Sequence, residues 1–422
     1  MCVNMIINGK KELKGQIEVS TSKNACLPIL AASLLSDEPV IINNLPAIDD
    51  VDVIIELIRQ LGVNVKMHKR TLELSGKPEQ AAPPYELVRR IRASFLVMGP
   101  LLARKESVRI SFPGGCAIGN RPIDLHLKGL QVLGAQIKQL GGDIIAQGKL
   151  KGGHVYLDYP SVGATENLVM AASLAAGTTY IENAALEPEI VDLANFINSM
   201  GGNITGAGTN IIKITGVKKL HGSNYTPIPD RIEAGTFMAA AAASRGDVTI
   251  TNIVPEHLKA ISAKLIESGA EVIETGNHIR VKGPHKIKPL YIKTLPYPGF
   301  PTDMQAQFMA YLSNAEGSSI ITESVFENRF MHVQELCRLG ASIKIEGRTA
   351  VIKGVKRLEG AIVKATDLRA GAALCIAALM AQGTTIITES EHIDRGYENL
   401  VEKLNSLGAE IIRKETKRCI TV

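Results

Sequence analysis

Three patterns of apolar and polar positions recur along the chain. The first is a run that is apolar on every face, followed by a short β-branched segment: residues 24–35 then 40–42, residues 166–176 then 178–181, and residues 368–380 then 384–387. Apolar residues all round the helical wheel predict a helix buried on all sides that leads into a buried strand. The second pattern is an amphipathic stretch closing on a hydrophobic-Gly-small-x-aliphatic phrase, as in Leu133-Gly134-Ala135-Gln136-Ile137 and Leu407-Gly408-Ala409-Glu410-Ile411. It predicts a helix stopped by a glycine cap and turning into a strand. The third, a leucine-and-glycine phrase at residues 11–15, 149–153, 218–222 and 356–360, opens a strand.

The cap glycines are Gly62, Gly134, Gly201, Gly269, Gly340 and Gly408, separated by 72, 67, 68, 71 and 68 residues. Six units of similar length therefore account for nearly the whole chain. Each is predicted to run strand, buried helix, strand, amphipathic helix, strand, strand. Six such units fit one ring or two groups of three. Residues 221–230, with Pro227 and Pro229 and neither a helical nor a strand period, form the best internal boundary. The chain opens with the strand phrase that elsewhere closes a unit, and its sixth unit stops without one, so the N-terminal strand is expected to complete the last unit. The expected lobes are residues 1–20 with 230–422, and residues 21–229, with a cleft between them.

Composition narrows the functional classes. The 422 residues carry 47 Lys plus Arg against 42 Asp plus Glu, a net charge of +5 without a polybasic run, and Trp is absent. Neither a phosphate-backbone stripe nor a base-stacking surface is indicated, so nucleic acid is not an expected partner. The six cysteines, Cys2, Cys26, Cys116, Cys337, Cys375 and Cys419, include no C-x-x-C pair. Reduced thiols in a cytoplasmic setting fit this spread better than a zinc site or a disulfide framework. Residues 1–15 lack the apolar core of a signal peptide. The longest uncharged apolar stretch, residues 370–381, is far below the about 20 needed to span a bilayer, and reads as a buried helix.

Candidate chemistry concentrates in one loop and at helix starts. The segment Ser111-Phe112-Pro113-Gly114-Gly115-Cys116-Ala117-Ile118-Gly119-Asn120-Arg121-Pro122 holds Cys116 in a glycine-rich loop stiffened at both ends by proline. Arg121, five residues on, favours the thiolate and can hold an anion beside it. Polar residues also recur where each buried helix begins: Lys23-Asn24, Arg92, Thr165-Glu166-Asn167, Arg231, Asp303 and Arg369. At the amphipathic helices, Arg121 and Arg395 both stand thirteen residues before their cap glycine, and Arg329 eleven before.

A cation at a helix N-terminus opposes the helix dipole, but it strengthens a field suited to phosphate or carboxylate. The plain alternative for any one arginine is an ion pair with an adjacent acid, such as Asp367 for Arg369 or Asp394 for Arg395. For a set that follows the repeat, a small ligand bearing carboxylate and phosphate is the better reading. Asp303 is either a first-turn acid or, among these cations, a carboxylate that takes a hydroxyl proton. Glu187, Glu189, Asp230 and Glu233 read first as scaffold carboxylates, and His126 as an orienting or helix residue rather than a base.

The chain resembles the enolpyruvyl transferases that act on a UDP-sugar. The resemblance covers essentially the full length and rests on these phrases in order: Ser22-Lys23-Asn24-Ala25, Arg92-Ala93-Ser94, Pro113-Gly114-Gly115-Cys116 through Arg121-Pro122-Ile123-Asp124, Ser161-Val162-Gly163-Ala164-Thr165, Glu187-Pro188-Glu189, Asp230-Arg231-Ile232-Glu233, Phe300-Pro301-Thr302-Asp303, Phe326-Glu327-Asn328-Arg329, Asp367-Leu368-Arg369 and Asp394-Arg395-Gly396. It implies a two-lobed α/β fold, an inside-out α/β barrel. Each lobe holds three β-α-β-α-β-β repeats around a pseudo-threefold axis and closes over the substrates.

It also implies transfer of the enolpyruvyl group of phosphoenolpyruvate to the 3'-hydroxyl of UDP-N-acetylglucosamine, without metal or organic cofactor, in the cytoplasm, as the first committed step of peptidoglycan precursor synthesis. By the same resemblance Cys116, Asp303, Lys23 and Arg395 are catalytic, with Cys116 the acid or covalent partner of phosphoenolpyruvate. Phosphoenolpyruvate falls to Lys23, Asn24, Cys116, Arg121, Arg329, Arg369 and Arg395. The UDP-sugar falls to Asn24, Arg92, Arg121, Pro122, Ile123, Asp124, Leu125, Ser161, Val162, Gly163, Ala164, Asp303 and Val325.

Two positions depart from the family's pattern. Ala93-Ser94-Phe95-Leu96 follows Arg92 where a tryptophan is frequent, and Tyr297 stands where histidine is frequent. Three other readings fit the sequence less well. The shikimate-type enolpyruvyl transferase lacks the Gly-Gly-Cys loop, a thiol hydrolase needs a histidine motif beside Cys116, and a non-catalytic repeat scaffold leaves the repeated arginines unexplained.

Overall fold

The computed structural model describes residues 2–114 and 123–416. They separate into two compact units, one of residues 2–20 with 229–416, the other of residues 21–114 with 123–228. Each unit contains three small sheets and its own apolar core.

The run that is apolar on all faces becomes a fully buried helix. In Arg231–Ala243 every residue after Arg231 is buried, and in Leu368–Met380 every residue after Leu368. Alanine makes this possible, because it favours helix and lets helix axes approach closely. These two helices and Gln305–Leu312 pack on one another at the centre of their unit. The amphipathic stretches become surface helices. In Asp49–Gln60, Val51, Ile54, Ile55 and Ile58 are buried, acids fill the first turn, and Arg59 stands in the last. All six cap glycines adopt left-handed backbone, with φ between 90° and 101°, so the repeat glycines are the conformational stops that the pattern requires.

Five sheets have four strands, each with one parallel pair at an edge and two antiparallel pairs. The strand Cys2–Asn8 completes the sixth sheet, antiparallel both to Thr384–Thr388 (Met5 opposite Ile387) and to Glu410–Thr416 (Met5 opposite Arg413).

Three details differ from the sequence expectation. Lys14–Glu18 precedes the first buried helix, yet it joins the sheet of the fourth repeat, parallel to Asp247–Thr251. The first repeat instead receives Ser223–Tyr225, parallel to Val40–Ile42. Consecutive elements thus exchange strands between units, which a repeat period cannot reveal. Ser223–Tyr225 also lies inside the boundary read as structureless, three residues being too short for a period. Finally, the second repeat has a three-stranded sheet. Its opening segment carries Pro78, Pro83 and Pro84, which offer no N–H to a ladder, and the bond from Arg109 N to Ala81 O, 3.0 Å, marks the place.

Candidate active site

In the unit of residues 229–416, a carboxylate lies between two buried guanidinium groups. Thr302–Met304 is a short 3-10 turn leading into the buried helix Gln305–Leu312, and it presents Asp303 with its side chain a quarter exposed. Arg329 Nη2 donates to Asp303 Oδ1 at 2.6 Å, and Arg369 Nη2 and Nε donate to Oδ2 at 3.0 and 3.3 Å. The two arginine side chains are only 6% and 3% exposed. Arginines so far out of water require compensating anions.

Arg329 is further fixed by Thr302 Oγ1, which accepts from its Nη1 at 2.8 Å. Thr302 in turn donates to Glu323 Oε2 at 2.8 Å. Glu323, fully buried, also accepts from Thr294 Oγ1 (2.7 Å) and from the backbone N–H of Val325 (2.8 Å) and Phe326 (3.2 Å). Sequence reasoning missed this residue. Its signal was a lone acid directly after the uncharged strand Ser318–Thr322.

Arg369 is the second residue of the helix Leu368–Met380, whose N-cap is Asp367. The Oδ1 of Asp367 accepts from the backbone N–H of Arg369 and Ala370, at 2.9 and 3.0 Å. The neighbouring acid therefore caps the helix, while the guanidinium reaches Asp303. Asp394 likewise accepts from Arg413 Nη1 at 2.8 Å. Burial opposes the charge on Arg369, but the surrounding oxygens of Tyr397 and Asp303 outweigh it and raise its pKa. Nη1 of Arg369 is buried and finds no hydrogen-bond acceptor among the described residues. Arg395 follows the short helix Glu391–Asp394.

Asp230 and Glu233 do scaffold work. Asp230 Oδ1 caps Arg231–Ala243 through the backbone N–H of Ile232 (2.8 Å) and Glu233 (2.9 Å). Glu233 accepts from Ser20 N at 3.0 Å and from Lys403, and burial, opposed by Lys403, pushes its carboxyl up to about 7.

In the unit of residues 21–228, Lys23 opens the helix Lys23–Ala32, where Ser22 Oγ accepts from Ala25 N at 3.3 Å. The ammonium at this helix start is compensated by Asp50 Oδ2 at 2.7 Å, a partner 27 residues away that the sequence did not suggest. Asn24, next on the helix, is half-buried.

Three of the segments expected to hold the UDP-sugar, those of Arg92, of Ile123 to Leu125 and of Ser161 to Ala164, meet at His126. Arg92 starts the 3-10 turn Arg92–Val97, and three residues later Phe95 meets the His126 ring edge to face, centroids 5.2 Å apart. His126 lies in the first turns of Asp124–Val132, just past Ile123, Asp124 and Leu125. Ser161 caps Val162–Ala172 through Ala164 N at 3.4 Å, and a Cβ on Gly163 would stand 3.3 Å from the His126 imidazole. Burial, with the charge of Arg92 adding to it, pushes His126 down to about 3. A neutral ring results. Its Nδ1 lies 3.1 Å from Asn167 Nδ2, which also donates to Phe95 O at 3.0 Å. His126 is therefore held neutral inside the unit, with Phe95 packed against its ring.

Glu166 is buried and its carboxyl is pushed well up, by burial first and by Glu189 and Glu187 after it. Cys116, Arg121 and Pro122 lie outside the described residues. The approach to them does not: Gly114 N points to Val88 O at 3.5 Å, and a Cβ on Gly114 would sit 1.7 Å from Arg89 O, so only glycine fits there. Val325 is half-buried beside Glu323. Among the described residues no cluster of His, Cys, Asp or Glu could hold a metal ion, and no helix is long and apolar enough to cross a membrane.

The chain as a whole is similar to known proteins. The chain is 59% identical over 413 residues to a UDP-N-acetylglucosamine 1-carboxyvinyltransferase 2 of Carboxydothermus hydrogenoformans, covering 97% of this chain and 98% of that protein. It is 56% identical over 415 residues to a UDP-N-acetylglucosamine 1-carboxyvinyltransferase 1 of Caldanaerobacter subterraneus subsp. tengcongensis, covering 98% and 100%. Among solved structures, the enolpyruvyl transferase NikO from Streptomyces tendae superimposes with a TM-score of 0.88 at 26% identity, over 98% of this chain and 99% of that one. Since a model of the EPSP synthase (3-phosphoshikimate 1-carboxyvinyltransferase) family also matches residues 7–404, the chain belongs to that family of enolpyruvyl transferases.

Proposed function

We infer that the chain is a UDP-N-acetylglucosamine 1-carboxyvinyltransferase, which transfers the enolpyruvyl group of phosphoenolpyruvate to the 3'-hydroxyl of UDP-N-acetylglucosamine and releases phosphate, in the synthesis of peptidoglycan precursors. The observation that carries this is identity of 56% and 59% over nearly the whole chain to enzymes of that name. Its substrates are small molecules, and a cytoplasmic setting suits both them and the thiol content.

Protonation of the methylene carbon of phosphoenolpyruvate leaves an oxocarbenium-like centre on the adjacent carbon. The sugar oxygen attacks that centre to give a tetrahedral ketal, and loss of phosphate and a methyl proton restores the double bond. The route needs a proton donor, a base near the nucleophile, and cations on the leaving phosphate. Cys116 is the donor or covalent partner. Lys23, Arg121 and Arg395 hold the phosphate, with Asn24 beside them, and Arg329 and Arg369 hold the carboxylate.

Asp303 takes the hydroxyl proton. Without substrate, Asp303 fills the role of an anion for both arginines. A substrate carboxylate that claims Arg329 and Arg369 releases Asp303 from them and raises its basicity when the hydroxyl arrives. Arg92, Pro122, Ile123, Asp124, Leu125, Val325 and the helix start Ser161, Val162, Gly163 and Ala164 take the UDP-sugar; the meeting of the Arg92–Val97 turn and the Gly163 helix start at His126 supports the part of this reading that falls on those segments.

The test is to incubate the purified chain with phosphoenolpyruvate and UDP-N-acetylglucosamine, then follow phosphate release and product mass. Release with shikimate 3-phosphate but none with the UDP-sugar would overturn the assignment.

A further inference from the structure

A buried polar cluster behind Arg369 plays no part in the scheme above. Tyr397 is 2% exposed, and its hydroxyl lies 2.9 Å from Thr236 Oγ1 and accepts from Gln307 Nε2 at 3.2 Å. Gln307 Nε2 donates to Thr236 Oγ1 as well, at 3.2 Å. The single hydroxyl proton of Thr236 is committed to the Ile232 carbonyl at 2.8 Å, so Tyr397 is the donor in its bond to Thr236. The direction of the chain is thereby fixed: Gln307 to Tyr397, Tyr397 to Thr236, Thr236 to the backbone.

The cluster draws on all three buried helices of its unit. Thr236 belongs to Arg231–Ala243 and Gln307 to Gln305–Leu312, while Arg369 of Leu368–Met380 sets its guanidinium carbon 5.1 Å from the Tyr397 ring centroid. Tyr397 also sits two residues past Arg395, with its N–H bonded to Ile393 O at 3.0 Å. A phenylalanine would fill the same space without burying a hydroxyl, whose desolvation is offset only by full hydrogen bonding. The hydroxyl therefore gains register rather than volume. The ring face attracts the guanidinium, while Asp303 holds one edge and Nη1 is left without an acceptor among the described residues.

We propose that Tyr397 is a positioning residue for the enolpyruvyl donor. Its ring aims the Arg369 guanidinium, and its hydroxyl, clamped by Thr236 and Gln307, fixes the segment that carries Arg395, so that both cations meet the donor's anionic groups in a set geometry. The proposal rests on the reading above that Arg369 and Arg395 bind phosphoenolpyruvate.

Steady-state phosphate release with both substrates tests it in the full chain, as wild type and as Tyr397→Phe, Thr236→Val and Tyr397→Leu. A silent wild type overturns the functional reading before any variant is compared. With an active wild type, the two conservative variants raise KM for phosphoenolpyruvate about three- to tenfold, the worth of one buried hydrogen bond, with KM for the UDP-sugar changed less than about twofold. Tyr397→Leu, which loses the ring too, raises KM for phosphoenolpyruvate beyond about tenfold. An unchanged KM for phosphoenolpyruvate in either conservative variant, or equal rises in both KM values, overturns the proposal. These two variants keep side-chain volume, so they decide the matter even if Tyr397→Leu fails to fold.

Discussion

At the scale of single residues, charges are paired with partners far along the chain. Arg369 passes over Asp367 for Asp303, 66 residues away, and Lys23 meets Asp50 on the next helix. Adjacent acids made plausible partners on paper, but helix geometry turns Asp367 to the backbone N–H groups, and Asp394 accepts from Arg413. With Asp303 as the base, Asp303→Asn lowers kcat about 10²- to 10⁴-fold. It leaves KM for phosphoenolpyruvate unchanged or lower, because the amide competes weakly for Arg329 and Arg369. Phosphate-release kinetics over both substrate ranges check the split. A raised KM with unchanged kcat would move Asp303 from chemistry to binding.

Asp192 gives a pH prediction. Burial pushes its carboxyl from 3.8 up to about 6, against the opposing bonds from Tyr225 Oη (2.6 Å) and Ile228 N (3.1 Å). The folded chain then holds a proton that the unfolded chain has already lost between these values. The contribution is destabilising as pH rises through about 4 to 6 and complete above that. Across the window the wild type loses up to about 3 kcal/mol relative to Asp192→Asn. Urea midpoints of both proteins at the two ends of the window measure it, and parallel profiles would refute it.

At the scale of elements, the same device recurs with different residues. Ser22, Ser161, Asp230 and Asp367 all cap buried helices through their side chains. The residues proposed to meet substrate follow within a turn, so a cap that stops fraying also fixes the side chains on which the proposed function depends. Asp230→Ala costs about 1–2 kcal/mol of stability, and Asp230→Asn costs far less because asparagine caps as well. Denaturant unfolding of the pair separates the scaffold role from a chemical one, which would remove activity in both. Helix and strand types were legible, because periods of 3.6 and 2 residues are local. The second repeat's missing strand was legible in principle from its prolines. Convergence of Phe95, His126 and Gly163 was not, since three separate helix starts meet there only through packing.

At the scale of the whole molecule, the strand Cys2–Asn8 lies between two neighbours in the sixth sheet. Without it, two apolar strand edges lose their ladder partners. A fragment of residues 229–422 is therefore expected to show no cooperative unfolding by circular dichroism, and a peptide of residues 1–20 added in trans to restore it. Cooperative unfolding of the fragment alone would show that the strand is dispensable.

The sequence by itself determined the six repeats, their glycine stops, the helices that are buried on all faces and the ordered phrases that mark the family. Each of these is written in local spacing or in the order of short motifs. Only the tertiary structure decided that Lys14–Glu18 and Ser223–Tyr225 exchange sheets, that Asp303 rather than a neighbouring acid receives both arginines, and that Tyr397 backs Arg369. Repeats of near-identical pattern offer near-identical edges and helix starts, so local preference cannot choose among them. The choice falls to burial and to the pairing of charges removed from water.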